Sequence, residues 1–155
     1  MKLTRFEEIE AWQQARKLVG LIYETIRSNG SFQKDFRLIN QLQAAAVSAM
    51  SNIAEGFTRR SSKEFTQFLF ISKSSAAEVQ SQLYVALDQN YITPQQFEQV
   101  YNQAETVSKL TSGFIKYLNG RKTQQPNNPT NSTNSTNPTT PTAPNPLTPR
   151  HLYIS

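Results

Sequence analysis

The chain has 155 residues and no cysteine, and its 16 Lys and Arg against 11 Asp and Glu give a net charge of +5. The absence of cysteine excludes disulfide bonds and thiolate chemistry and is compatible with a reducing compartment. The N-terminus turns acidic where a signal peptide would need an apolar segment, and no run approaches the ~18 apolar residues of a membrane span, so we expect a cytoplasmic protein without membrane contact.

The first predicted element is an amphipathic helix over residues 8–28. Apolar side chains recur there at steps of three and four, which is the spacing of one helix face. Gly30 follows, and we expect it to end the helix in the left-handed conformation that glycine adopts easily.

A second helix is predicted over residues 35–59. Asp35 suits its N-terminal cap, because a carboxylate accepts hydrogen bonds from the free amides of a first turn. Small side chains at 44–49 favour a close neighbouring helix. Gly56 interrupts the apolar face and would let a neighbouring backbone pass close, but Phe57 continues that face, so the helix is expected to reach about Arg59.

Two capping boxes mark the third and fourth helices, predicted over residues 62–90 and 94–118. Ser61 and Glu64 form the first box, in which the Ser hydroxyl accepts from a backbone amide and the Glu side chain reaches back. Thr93 and Gln96 form the second, with Pro94 at the first helical position.

Four helices with short connectors and no strand-like alternation predict an all-α fold, an antiparallel up-down-up-down four-helix bundle over residues 1–120. Residues 121–155 hold seven of the eight prolines in an Asn, Ser and Thr background. That composition cannot bury enough apolar surface to offset its ordering entropy, so we expect a disordered C-terminal tail.

The sequence offers few groups for catalysis. The only histidine, His151, lies in the tail, and no Gly-rich phosphate loop or metal-ligand spacing is present, so neither a cofactor nor a metal is predicted. Glu55 could act as a general base if burial raised its pKa. The favoured interpretation is structural: Asn52 and Glu55 hydrogen-bond each other or a neighbouring helix and fix the register of helix 2. We therefore predict a protein that is not an enzyme.

Positive charge is unevenly distributed, with ten bases and six acids in residues 1–63 but three and five in residues 64–120. In an antiparallel bundle, the turn after helix 2 shares its pole with the start of helix 1 and the end of helix 4. Six cations are expected at that pole: Arg59, Arg60, Lys63, Lys116, Arg121 and Lys122. They either bind phosphate or complement the dipole of helix 2. Arg16, Lys17 and Arg27 on helix 1 are typical of a solvated face.

Three patterns across residues 6–118 resemble the bacterial family of 23S rRNA intervening-sequence proteins. They are Trp12-Gln13-x-Ala15, then Ala46-Val47-Ser48 with Ser51-Asn52-Ile53-Ala54-Glu55-Gly56, and then Ser74-Ser75-x-x-Glu78 with Leu83. The resemblance implies a non-enzymatic four-helix bundle. The chain is also similar to the accessory variability proteins of diversity-generating retroelements, which implies a homopentamer with a basic surface that binds a reverse transcriptase and nucleic acid.

The chain departs from the family pattern after Leu42, where Gln43 and Ala44 stand in place of a common arginine pair. Without that pair, the remaining basic candidates for nucleic-acid binding are Arg37, Arg59, Arg60 and Lys63. Two functions follow as hypotheses. One is an oligomeric accessory protein that binds an RNA or DNA backbone, with or without a reverse transcriptase. The alternative is a structural or protein-interaction bundle with no nucleic-acid role.

Overall fold

The computed structural model describes residues 2–120, which form four long α-helices. Their bounds are Glu10–Arg27 for α1, Phe36–Phe57 for α2, Ser62–Asp88 for α3 and Pro94–Gly120 for α4. Short 3-10 turns, Phe6–Glu8 and Phe32–Lys34, precede α1 and α2. This confirms the all-α prediction, and each helix begins and ends within two residues of its predicted bounds. The predicted tail lies outside the described residues.

The helices pack as a ring, in which each contacts the helix before and after it and α4 also contacts α1. Connectors of four to eight residues leave no room for a crossover, so sequential helices are antiparallel. The core receives fully buried apolar side chains from all four helices: Leu18, Ile22, Leu42, Ile53, Leu69, Val79, Leu83, Val100 and Val107.

The predicted N-terminal caps are present. Asp35 accepts a hydrogen bond from a first-turn amide of α2 at 3.1 Å. Thr93 and Gln96 form a reciprocal box, each side chain accepting from the other's backbone amide at 3.1 and 2.9 Å. The Ser61 hydroxyl accepts from the Glu64 amide at 3.2 Å, and it also donates to the Glu64 carboxylate at 2.8 Å.

The left-handed residue lies in a different connector from the predicted one. Within residues 2–120 no glycine has a positive φ, so the expectation for Gly30 is wrong. The Asn29 side chain turns the chain after α1 instead, accepting two backbone amides at 2.9 Å. Asn90 has a φ of 58°, and it ends α3 in a Schellman motif closed by the Tyr91 amide, which donates to the Ala86 carbonyl at 2.9 Å.

Candidate nucleic-acid interface

The turn between α2 and α3 begins two residues earlier than predicted. Helix α2 ends at Phe57. The Thr58 hydroxyl donates to the Glu55 carbonyl at 2.7 Å, and this hydrogen bond satisfies one of the carbonyl acceptors at the helix end. Arg59 and Arg60 therefore lie in the turn rather than on the helix, and both are exposed. Ser61 then caps α3.

Gly56 lets α3 pack directly against the last turn of α2. A Cβ at this position would lie 2.6 Å from Phe65 Cδ2 and 2.8 Å from Phe68 Cβ, closer than real Cβ atoms approach. The close neighbours are therefore the side chains of α3, whereas the sequence suggested a backbone. This close contact between α2 and α3 sets the position of the turn that carries Arg59 and Arg60.

Arg59 is held by two contacts on the surface. Its guanidinium pairs with the Glu55 carboxylate at 2.8 Å and lies 4.6 Å from the centre of the Phe68 ring. Glu55 is thus paired with Arg59 and not with Asn52, which corrects the predicted hydrogen bond. The Glu55 side chain is 52% exposed, so the burial that a general base would need is not found there.

Asn52 does contribute to the contact between α2 and α3, but through Ser48. Its side-chain amide donates to the Ser48 carbonyl at 2.8 Å and to the Ser48 hydroxyl at 3.0 Å. That hydroxyl lies 2.9 Å from the hydroxyl of Ser75 on α3. A further hydrogen bond between these helices was not predicted: the Ser72 hydroxyl of α3 donates to the Ala49 carbonyl of α2 at 2.6 Å.

The remaining residues of the predicted structural pattern, Trp12 and Glu78, have local partners. Trp12 is half-buried and packs edge-on against Phe6 with 5.1 Å between ring centres. The Arg16 guanidinium lies 5.9 Å from the Trp12 ring centre. Glu78 is exposed and accepts a hydrogen bond from Gln82, one turn along α3, at 3.4 Å.

Four cations lie at the turn and the adjacent N-terminus, and we call Lys2, Arg59, Arg60 and Lys63 the basic corner. The side chains of Arg60 and Lys63 are exposed, and neither makes a hydrogen bond or ion pair within residues 2–120. Lys2 was not among the predicted cations, although the start of helix 1 was expected at this pole.

The N-terminal segment that carries Lys2 is fastened by a local turn. The backbone amide and hydroxyl of Thr4 donate to the Glu8 carboxylate at 3.0 and 2.8 Å. These hydrogen bonds, the backbone one first, lower the pKa of Glu8. The ionised form of Glu8 is the one that accepts both Thr4 bonds, and these bonds fasten the segment that carries Lys2.

An open groove of about 730 Å³ lies at the basic corner, and we call it the corner groove. Its polar and charged lining comes from Lys2, Arg59, Arg60, Ser61 and Ser62. Its apolar lining comes from Leu3, Phe57, Phe65, Phe114, Tyr117 and Leu118. The groove thus combines cations with an aromatic surface.

Among the predicted cations that the structure describes, Lys63, Lys116 and Arg37 do not line the corner groove. Lys116 lines a separate groove of about 510 Å³ between α3 and α4, together with Lys73 and Lys109. Arg37 lies in the first turn of α2, about 30 Å from Arg59 at 1.5 Å per residue. Arg121 and Lys122 lie outside the described residues. The predicted cluster is therefore divided between different surfaces.

The part of the chain that the structure describes has neither a metal-binding cluster nor a membrane-spanning helix. No group of three or more His, Asp or Glu side chains there could hold a metal ion. None of the four helices combines the length and the apolar character that crossing a bilayer requires.

Comparison with known proteins gives one family and a related fold. Residues 7–113 match the model of the 23S rRNA-intervening sequence protein family. A solved structure from Bacteroides thetaiotaomicron, described as a protein with unknown function from the S23 ribosomal protein family, is 25% identical with a TM-score of 0.62. That alignment covers 68% of this chain and 98% of the other. No curated protein matches the chain, and neither match names a retroelement accessory protein.

Proposed function

Because the chain belongs to the 23S rRNA-intervening sequence protein family, we propose that it is a cytoplasmic, non-enzymatic, oligomeric accessory protein that binds the backbone of RNA or DNA at its basic corner. The observation that carries the proposal is the pair Arg60 and Lys63. Both are exposed, both lack a carboxylate partner within residues 2–120, and Arg60 lines the corner groove together with Arg59 and Lys2.

Arg60 and Lys63 differ from the three cations of residues 2–120 that form an ion pair, which are Arg5, Lys109 and Arg59 of the corner itself. Arg5 pairs with Glu7 at 2.9 Å and Lys109 with Glu105 at 3.1 Å, so a local carboxylate offsets each charge. Lys63 lies in the first turn of α3, where the free amides of the helix add partial positive charge. A phosphate bound there is attracted both by the Lys63 ammonium group and by the helix amides. Its binding also releases condensed counterions, which favours association.

Salt-dependent binding tests this proposal. A labelled RNA hairpin should bind the full chain with an affinity that falls steeply between about 50 and 200 mM salt. The double variant Arg60→Glu with Lys63→Glu should lose most of this binding and flatten the salt dependence, with its helical circular dichroism unchanged.

A charge-matched control makes the comparison specific to the corner. The double variant Lys17→Glu with Arg27→Glu makes the same change in net charge on the exposed surface of α1. It should keep most of the affinity and the salt slope. Equal losses in both variants, or no salt-sensitive binding by the unmodified chain, would refute binding at the corner.

A protein-interaction role is the second candidate, and the outer surface of α3 favours it. Phe70, Ile71 and Val85 are 53%, 48% and 46% exposed there. The small residues Ser74 and Ala77 lie between them and would let another helix approach closely. We propose that copies of the chain associate through this surface, which we call the outer α3 face.

Light scattering tests the assembly, for which the resemblance to retroelement accessory proteins suggests five copies. Phe70→Glu with Ile71→Glu should reduce the assembly to monomers, whereas Tyr23→Glu on α1 should not. A monomeric unmodified chain would reject the oligomer. The resemblance also implies a reverse transcriptase as partner. If this is right, a reverse-transcriptase gene should lie next to the gene of this chain, and the two proteins should co-purify.

A further inference from the structure

We propose that the corner groove binds an unpaired nucleobase, so that the nucleic acid held at the basic corner is single-stranded. This inference rests on the proposed function and specifies its ligand. It comes from the aromatic surface beside the cations, which contact with phosphate alone would not require.

Four aromatic rings form a continuous row in the groove. Phe65 packs edge-on against Phe57 and Phe114, with ring centres 6.3 and 5.1 Å apart. Tyr117 continues the row, nearly parallel to Phe114 at 15° with centres 6.1 Å apart. The row joins the end of α2 to the end of α4.

Within the row, Phe65 is the least accessible ring and Tyr117, at the α4 end, is the most accessible. Phe65 is 8% exposed and belongs to the core, Phe57 and Phe114 are half-buried, and Tyr117 is 52% exposed. An exposed aromatic ring backed by packed rings is a surface on which a base can stack. Such stacking tolerates any sequence, because every base has a flat face.

The charge of the groove selects an anionic ligand. Lys2, Arg59 and Arg60 line it, and no Asp or Glu of the described chain does. A nucleotide offers a phosphate to these cations and a base to the ring of Tyr117. The volume of about 730 Å³ falls within the ~300–1,000 Å³ of typical ligand sites.

A duplex would present only its phosphates here, because its bases are paired and stacked inside the helix. An unpaired base can be splayed out of the strand and placed on an aromatic side chain. The combination of cations and accessible rings therefore favours a single strand over a duplex.

The experiment compares three labelled RNAs by fluorescence anisotropy with the full chain: a single strand, the same strand with abasic central positions, and a duplex of equal length. The single strand should bind most tightly, and the abasic strand about tenfold more weakly. Tyr117→Ala should weaken single-strand binding by a similar factor and leave duplex binding unchanged. Its salt slope should not change, since no phosphate contact is removed.

Two variants separate stacking from a change in structure. Tyr117→Phe keeps the ring and should bind like the unmodified chain. Tyr84→Ala removes a ring that is 51% exposed and packs against Phe97 and Tyr101 on another surface, so it should have no effect. The abasic RNA tests the same contact without altering the protein.

The experiment distinguishes failure of base insertion from failure of the proposed function. Equal affinity for intact strand, abasic strand and duplex, with no effect of Tyr117→Ala, would overturn base insertion while leaving backbone binding in place. Absence of salt-sensitive binding to all three RNAs would overturn the proposed function and base insertion together.

Discussion

Asp35 uses both of its carboxylate oxygens to hold the pole opposite the basic corner. One oxygen accepts from the Leu38 amide at 3.1 Å and caps α2, and the other accepts from the Tyr91 hydroxyl at 3.2 Å. Tyr91 also stacks on Phe32, with ring centres 5.1 Å apart. A single side chain therefore joins the start of α2 to the turn between α3 and α4.

Asp35→Ala should lower the free energy of unfolding by ~1–2 kcal/mol, because the helix loses its N-terminal cap. Asp35→Asn keeps an acceptor for the Leu38 amide and should cost less. Urea unfolding measured at neutral pH gives both values. Equal stability of the Ala variant and the unmodified chain would show that the cap contributes nothing.

Alkaline pH should weaken this pole through Tyr91. Burial, followed by the hydrogen bond to Asp35 and its charge, raises the pKa of Tyr91 above its ordinary value of 10.0. The stabilisation is therefore complete below pH 10.0 and is lost as the pH rises through the folded-state pKa. Absorbance titration should show a tyrosine that ionises late, and Asp35→Ala should bring it back toward 10.0. Tyr91→Phe should remove this signal.

Gly56→Ala should destabilise the chain by ~1–3 kcal/mol, although alanine is the better helix former by ~1 kcal/mol. The added Cβ would meet Phe68 Cβ at 2.8 Å, and that atom moves only with the α3 backbone. Gly113→Ala on α4 is the matched control, since nothing lies within 4 Å of its added Cβ, and it should be stabilising. Thermal unfolding of both variants measures the difference, and a stabilised Gly56→Ala would contradict the close packing.

Helices α2 and α3 are joined by small side chains that also form hydrogen bonds. Ala45, Ala46 and Ala49 are buried on α2, and Ser72 and Ala76 are fully buried on α3. Short side chains bring the helices close enough for the Ser72 hydroxyl to reach the Ala49 carbonyl at 2.6 Å. The spacing of this pair therefore depends on residue size along a whole seam.

Enlarging that seam should separate the two helices. Ser72→Leu is expected to cost ~1–3 kcal/mol or more from overpacking, whereas Ser72→Ala removes only one hydrogen bond and should cost ~1 kcal/mol. Urea unfolding compares the two variants directly. A leucine variant no less stable than the alanine variant would mean that the seam has unfilled space.

The whole fold could be predicted because its signals are local. Apolar spacing marks each helix. Three helix starts are also marked by capping residues whose hydrogen-bond partners lie within one helical turn: Asp35, Ser61 and Thr93. The conformation of Gly30 was mispredicted, because the side chain of Asn29 directs that turn instead. The use of Asn29 rather than Gly30 depends on hydrogen bonds to the backbone amides of Ser31 and Phe32, which the spacing of apolar residues does not encode.

The candidate site was less predictable because it depends on which side chains meet in three dimensions. Glu55 lies three residues after Asn52 and four before Arg59, and the turn after α2 brings the Arg59 guanidinium within hydrogen-bond distance of the Glu55 carboxylate. Counting charges placed Lys116 with the arginines, but the rotation of α4 turns it toward α3. Lys2 lies far from the turn in sequence and reaches it only through the folded N-terminus.

A chain shortened to residues 1–120 should fold and keep its interface at the corner. All four helices and the buried core lie within residues 2–120, so the urea midpoint should match that of the full chain. Removing Arg121 and Lys122 also tests their predicted contribution to binding. If the basic corner carries the interaction, Arg60→Glu with Lys63→Glu should weaken RNA binding by the same factor in both chains. Loss of binding in the short chain itself would assign the interaction to residues 121–155 instead.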